Sequence, residues 1–426
     1  MPQEAEIVRG SEGWARTGDG VYWTADGGRH WRRITPPTHS PLDIESVYFD
    51  DPRHGWAFAE EGHEGDEHPV FFATIDGGRH WRRSPTPIED LLLPAASASF
   101  APAGTRLVYA LVKQQGDTAE NFGLLLRSDN GGRTWRRTAK APPQAGQITF
   151  ESSRDGWLAS GFPAPNLWRT EDAGASWSEV HVAPPPKVER VDSESFLPPR
   201  IAPDHRGLLA AVFVARPSRD TTAALYATDD GGGHWRMVAT VPLPGAGGSL
   251  EAHSVLAFRG EDAVVVHPPT KPRLTVLTLK GRGASLASKG LAAWPEMSFS
   301  GGRFGFASSI FRPDRGLDVT GDGGRSWHHL SRIRVDLGGR PAGWRECVSR
   351  RDLGTEGVDC ATAATVRRRY FNPGPKINPG LSPPGWRCRQ WETGHTSDGG
   401  DAYLDICHSA SRPERRFRFR WTSSLE

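Results

Sequence analysis

The sequence predicts an all-β chain built from seven copies of one small antiparallel sheet, followed by a small α+β unit. Three observations carry that prediction. Eight residues recur six times in nearly the same form: TADGGRHW (24–31), TIDGGRHW (74–81), SDNGGRTW (128–135), TEDAGASW (170–177), TDDGGGHW (228–235) and TGDGGRSW (320–327). A β-forming run stands before and after each copy, so the octet reads as the turn of a hairpin. No long stretch of 3.6-period apolar residues precedes about residue 360, in a chain of 426 residues that holds 49 Gly, 35 Pro and 16 Trp.

Each part of the octet has a physical task. Its glycines supply the positive φ that a tight reversal needs, and Asp26, Asp76, Asn130, Asp172, Asp230 or Asp322 can accept hydrogen bonds from turn amides. The hydroxyl residue two places earlier belongs to the outgoing strand. Five places after the acid, Trp31, Trp81, Trp135, Trp177, Trp235 or Trp327 starts the returning one. Packed sideways, such an indole would bury ~200 Å² against a neighbouring unit.

The pattern Ser/Thr-x-Asp-x-Gly-x-x-Trp resembles the Asp box, or bacterial neuraminidase repeat. That resemblance implies a β-propeller in which the box is the hairpin between the third and fourth strands of each blade. It implies no activity, because such boxes are structural staples away from the ligand face. Second strands carrying Gly-Trp (Gly13-Trp14, Gly55-Trp56, Gly156-Trp157) recur before the box. With them the chain looks most like the bacterial photosystem II assembly factor-like propellers, over about four-fifths of its length.

Octet starts are separated by 50, 54, 42, 58 and 92 residues. The last interval is twice 46, so a blade whose box has decayed is expected between Thr228 and Thr320, with RLTVLTLKGRG (273–283) as its remnant. Seven blades then fill residues 1–337. Blade 1 reads as EIVRG, GWARTG, GVYWTAD and HWRRITP, and blade 2 as DIESVYFD, HGWAFAEE, VFFATID and HWRRSP. SASF, RLVYALVK, FGLLLRSD and TWRRTAK make blade 3; QITFESS, DGWLASGF, LWRTED and SWSEVHV make blade 4. Blade 5 is expected to begin near Glu194, after a Pro-rich crossover, and blade 7 to end near Ile333.

Residues 341–426 form the second unit. There, GVDCATAATVRRRYF reads as a helix of about three turns, GWRCRQWE and DAYLDICHS as a hairpin, and RRFRFRW as a last alternating strand. All four cysteines, Cys347, Cys360, Cys388 and Cys407, fall in this stretch. Their clustering favours two disulfides in an exported protein, which a domain of ~85 residues needs as staples. Three connectivities are open. A zinc site is the rival, without a C-x-x-C to support it.

Net charge is +2 and no apolar run is long enough to span a bilayer, so neither nucleic acid nor a membrane span is expected. The opening residues lack a signal sequence and Leu425-Glu426 reads as a cloning remnant. We therefore expect an extracellular or cell-envelope monomer whose signal or anchor has been trimmed.

No catalytic set stands out and no cofactor is called for. A sialidase would need a Tyr–Glu nucleophile, an acid and three arginines, and the six tyrosines fall in strand patterns or the tail. Arg200-Ile201-Ala202-Pro203 only imitates the Arg-Ile-Pro start of that family. Loop carboxylates Asp117, Glu120, Asp220 and Asp314 are candidates for another glycosidase, no better than other exposed acids. In the loop EEGHEGDEHP (60–69), His63, Glu64, Asp66, Glu67 and His68 could offer N and O ligands to a divalent ion, though their spacing matches no known metal motif. Arginine pairs follow the first three octets (Arg32-Arg33, Arg82-Arg83, Arg136-Arg137) and serve either to guard outer strand edges or as a belt for anions. The sequence thus points to a non-enzymatic binding or scaffold protein for a protein or glycan ligand. The alternative is a glycoside hydrolase or lyase using carboxylates on the propeller face.

Overall fold

The structure is a computed structural model. It describes residues 2–17, 20–38, 44–61, 68–88, 95–114, 123–138, 141–159, 166–186, 188–244, 252, 255–267, 273–287, 291, 296–308, 317–330, 345–347, 350–356, 358–370, 385–395, 401–409 and 416–422. Two compact units result. One comprises Met1–Pro36, Ile44–Glu60 and Pro69–Ile333; the other groups Arg334–Glu426 with the short segments Pro37–Asp43 and Glu61–His68.

The first unit is a seven-bladed propeller. Its sheets span residues 2–33, 44–85, 95–137, 147–180, 191–242, 256–287 and 296–330, each an antiparallel meander with strands in chain order. Blade 5 adds a short fifth strand, Arg200–Ile201, that the sequence did not foreshadow. It also starts earlier than expected, at Val191. The box-less sixth blade keeps its last two strands, Arg273–Thr278 and Gly281–Ala287.

First strands lie innermost. Those of blades 2 and 3 (Ile44–Phe49, Ala95–Pro102), 3 and 4 (Gln147–Phe150), 6 and 7 (Leu256–Arg259, Glu296–Ser300), and 7 and 1 (Pro2–Arg9) approach one another. An innermost strand has a free edge whose N–H groups need acceptors. Serines of the neighbouring blade supply them: Ser46 Oγ accepts from Ala98 N (2.9 Å), Ser99 Oγ from Ile148 N (3.1 Å), Ser195 Oγ from Ala252 N (2.9 Å) and Ser298 Oγ from Ile7 N (3.1 Å). Among the described residues no strand is shared between blades 7 and 1. The ring closes there through Ser298, through Ser300 Oγ accepting from Gly10 N (2.8 Å), and through Trp31 against Phe306 at 5.9 Å.

A second inter-strand device explains the Gly-Trp motif. Gly55 and Gly156 stand in register with Phe49 and Phe150 of the first strand, and each ring lies over the glycine. A Cβ at Gly55 would meet the Phe49 ring at 2.5 Å, so any side chain there would evict the aromatic. The following Trp56 and Trp157 are then buried between blades.

The second unit holds one five-stranded antiparallel sheet, in the order Arg345–Cys347, Arg350–Glu356, Arg416–Thr422, Asp401–Ser409, Trp386–His395. Its first two strands are additions to the expected hairpin and last strand. Helix Cys360–Tyr370 starts where Asp359 accepts from Thr362 N (2.8 Å), an N-cap. Buried Ala363 lies on the helix, which packs on strand Arg350–Glu356.

Candidate functional site

The octet residues turn inward to one another. In all six copies the Ser/Thr hydroxyl donates to the Asp or Asn Oδ1 (2.7–3.0 Å) and accepts from the second glycine's N–H (2.8–3.0 Å). The same Oδ1 accepts the N–H four residues on, and Oδ2 meets that residue's side chain: His30, His80, Ser176, His234 or Ser326. In the third copy Asn130 Nδ2 donates to Thr134 Oγ1 instead, 2.8 Å, so the amide suits its partner. Burial opposes ionisation of Asp76, yet the bonds from His80 and Thr74 outweigh it and hold the carboxyl down at about 2. Asp322 is held at about 2 in the same way by Ser326 and Thr320, and Asp26, Asp172 and Asp230 are lowered too. Their oxygens are occupied.

Each octet also abuts the blade before it. At Gly78 (φ +74) a Cβ would strike Ile34 of blade 1 at 2.7 Å, and at Gly132 it would strike Trp56 of blade 2 at 2.7 Å. The indoles follow. Trp81 Nε1 donates to Ile34 O (2.6 Å), Trp135 lies 4.5 Å from Phe71, and Trp235 lies 5.9 Å from Trp157. Trp177 and Trp327 join the clusters that blades 4 and 7 form with blades 3 and 6.

Of the loop candidates, His63, Glu64, Asp66, Glu67, Asp117, Glu120 and Asp314 lie outside the described residues. His68 is exposed at the start of strand His68–Thr74, and Asp220 is exposed in a turn. Among the described residues no three His, Cys, Asp or Glu side chains gather as a metal site. The arginine pairs divide: Arg32 Nη2 donates to Gly77 O (2.8 Å) and so ties blade 1 to blade 2, whereas the other two pairs are exposed.

Polar side chains converge instead in the central channel. Glu4 and Glu6 share one side of strand Pro2–Arg9, by the two-residue alternation of a strand. Glu4 is ion-paired to Arg16 (3.3 Å), whose other arm donates to Ile44 O of blade 2 (2.9 Å). Burial nevertheless raises the Glu4 pKa, and Glu296 of blade 7 adds to the rise. Among the described residues Glu6 has no such counter-ion at contact distance. Burial, and then the charge of Glu4, push its carboxyl up to about 7, with Arg200 pulling the other way. The Tyr48 phenol of blade 2 is raised by burial, then by Glu6 and Asp50. Arg200, on the extra strand of blade 5, is lowered by burial while Glu6 and Tyr48 favour its charge. Its guanidinium stands over the Phe258 ring of blade 6, 4.8 Å from the centroid.

Glu6, Tyr48 and Arg200 therefore face one another from three blades. Among the described residues no hydrogen bond or ion pair joins them. This brings together a cation, a carboxyl whose pKa burial raises to about 7, and a phenol. Sequence reasoning passed over all three. Tyr48 was set aside as a strand residue and Arg200 as a false motif, whereas Glu4 and Glu6, alternate acids on an innermost strand, were the available signal.

No protein-family model matches the chain, and no curated protein matches it. Solved structures similar to it include a xyloglucanase from Xanthomonas campestris (12% identity over 100% of this chain and 78% of that one, TM-score 0.33). An ulvan lyase (7%, 69% and 83%, TM-score 0.43) and a eukaryotic initiation factor (9%, 78% and 88%, TM-score 0.39) are similar as well. The seven blades rest on the strand pairing itself.

Proposed function

We propose that the protein is an exported binding propeller whose ligand seat is the channel end bounded by Glu6, Tyr48 and Arg200, and that the ligand is a sugar bearing an anionic group. One observation carries this reading: Glu6, Tyr48 and Arg200, from three blades, act electrostatically on one another and, among the described residues, form no hydrogen bond or ion pair with one another. An anion would pair with Arg200 in a partly desolvated setting, where charge-assisted hydrogen bonds are strong. Hydroxyls would meet Tyr48 and Glu6. In the same reading the octets are Asp boxes that hold the frame, two disulfides staple the second unit, and the chain works as a monomer at or outside the cell envelope.

The test is a glycan array followed by titration calorimetry on the best acidic hit. Affinity should rise as pH falls from 8 to 6, because an anion beside Glu6 favours its protonated form, and Arg200→Gln should weaken binding about tenfold or more. Exclusive binding of neutral glycans, or indifference to Arg200→Gln, would count against the seat.

A second reading is a glycoside hydrolase or lyase, favoured by Glu6, whose pKa of about 7 suits a general acid. Release of reducing ends or of unsaturated sugar from acidic polysaccharides, abolished by Glu6→Gln, would establish it. Unchanged substrate after prolonged incubation leaves the binding reading.

A further inference from the structure

The turns between third and fourth strands all emerge on one face of the ring, and comparing them position by position divides that face in two. In blades 6, 7, 1 and 2 each turn carries one exposed cation, Lys280, Arg325, Arg29 and Arg79, with no acid at the second octet position, whereas the exposed Arg133 of blade 3 shares its turn with Asp129. Among the described residues none of these four is ion-paired to a carboxylate. The second octet position is apolar or small in the same sector, and in blade 2 it is Ile75, 60% exposed. The corresponding turn tip of blade 6 is Leu279, 47% exposed. These are two of the three large apolar side chains that the described residues expose. In blades 3, 4 and 5 the second octet position holds Asp129, Glu171 and Asp229.

The carboxylates of the first sector do not cancel its cations at the tips. Asp26, Asp76 and Asp322 point back into their own turns, bonded to backbone N–H groups and capped by His30, His80 and Ser326. Ile75 and Leu279 are held out by rigid hairpins, so presenting them costs little conformational entropy. They stand three blades apart on the ring, with blades 7 and 1 between them and a cation on each turn between. A groove or single peptide would gather its apolar contacts; tips set across a face fit an extended plane.

From this we propose that the turns of blades 6, 7, 1 and 2 are a docking surface for an anionic lipid bilayer, with Ile75 and Leu279 entering the headgroup layer and the four cations lying against lipid phosphates. The inference does not depend on the channel ligand.

The test is co-sedimentation of the full chain with vesicles of phosphatidylglycerol and phosphatidylcholine, beside vesicles of phosphatidylcholine alone. Binding to the anionic vesicles is expected, weakening as salt is raised. The pair Arg79→Glu and Lys280→Glu should lower the partition coefficient about fivefold or more for each cation lost. Ile75→Ser with Leu279→Ser should lower it as well, and Asp229→Ser should not. All five positions are exposed, and an unchanged thermal melt verifies folding. Equal binding to both vesicle types, no binding to either, or variants that bind like the parent chain would overturn the proposal. Capture of soluble dextran sulfate without vesicle binding would also overturn it and point to a polyanion.

Discussion

Single residues in the octets do work that can be removed one bond at a time. Asp76→Ala would strip the acceptor from His80 N–H and Thr74 Oγ1 and should cost about 1–3 kcal/mol in urea denaturation. Five octet aspartates have folded pKa values below their ordinary 3.8, so the stability they contribute is complete above that value and is lost as pH falls toward about 2. A melting temperature that begins to fall only below about pH 4 is the expected signature. Glu6 has the opposite sign. Its folded pKa of about 7 exceeds the ordinary 4.5, so it lowers stability progressively as pH rises from 4.5 through 7. Glu6→Gln should therefore gain on the parent chain between pH 5 and pH 8, by on the order of 1 kcal/mol once solvent screening of this half-buried group is allowed for. Equal stability at both values would remove the charge strain inferred for the channel. Ala173 has a φ of +67 where all five other octets place glycine, and Ala173→Gly should stabilise by about 0.5–1 kcal/mol.

Among elements, the hairpins of the two units contrast. In the propeller a hairpin is secured by its octet and by an aromatic ring laid on a glycine. In the second unit strands Trp386–His395 and Asp401–Ser409 set Cys388 directly opposite Cys407. Opposed residues on antiparallel strands lie about 4.5–5.5 Å apart at Cα, within disulfide reach. Peptide mapping without reductant should accordingly yield a Cys388–Cys407 link and leave Cys347 with Cys360. Recovery of a Cys360–Cys407 peptide would refute that pairing. The N-cap at Asp359 starts the helix, and its removal should cost about 1 kcal/mol locally.

For the propeller as a whole, closure is the question. Many rings could be locked by a strand contributed from the far end of the chain, but among the described residues blades 7 and 1 meet through side chains, two serine hydroxyls included, and not through a shared strand. Phe306 is buried at 1% exposure and touches Trp31 at that seam. Phe306→Ala should cost about 3–5 kcal/mol. Because every other junction is indirectly loaded by this one, the propeller should still unfold in one transition. A separate early transition on denaturation would instead mark the seam as an independent weak point.

Much of the frame was legible because its determinants are local. An octet bonds within eight residues, so six copies and a doubled interval reveal seven reversals without any knowledge of their neighbours. The helix and the last three strands of the second unit were legible for the same reason. What the reading missed depends on partners remote in the chain. Serines at the free inner edges look like ordinary strand polar residues until the next blade's N–H is placed beside them. Glu6, Tyr48 and Arg200 carry no motif, since they belong to blades 1, 2 and 5, and only closing the ring brings them face to face. Repetition along the chain therefore specified the sheets and their turns, whereas the channel site arises from packing those sheets in a circle, which joins residues that no sequence interval relates.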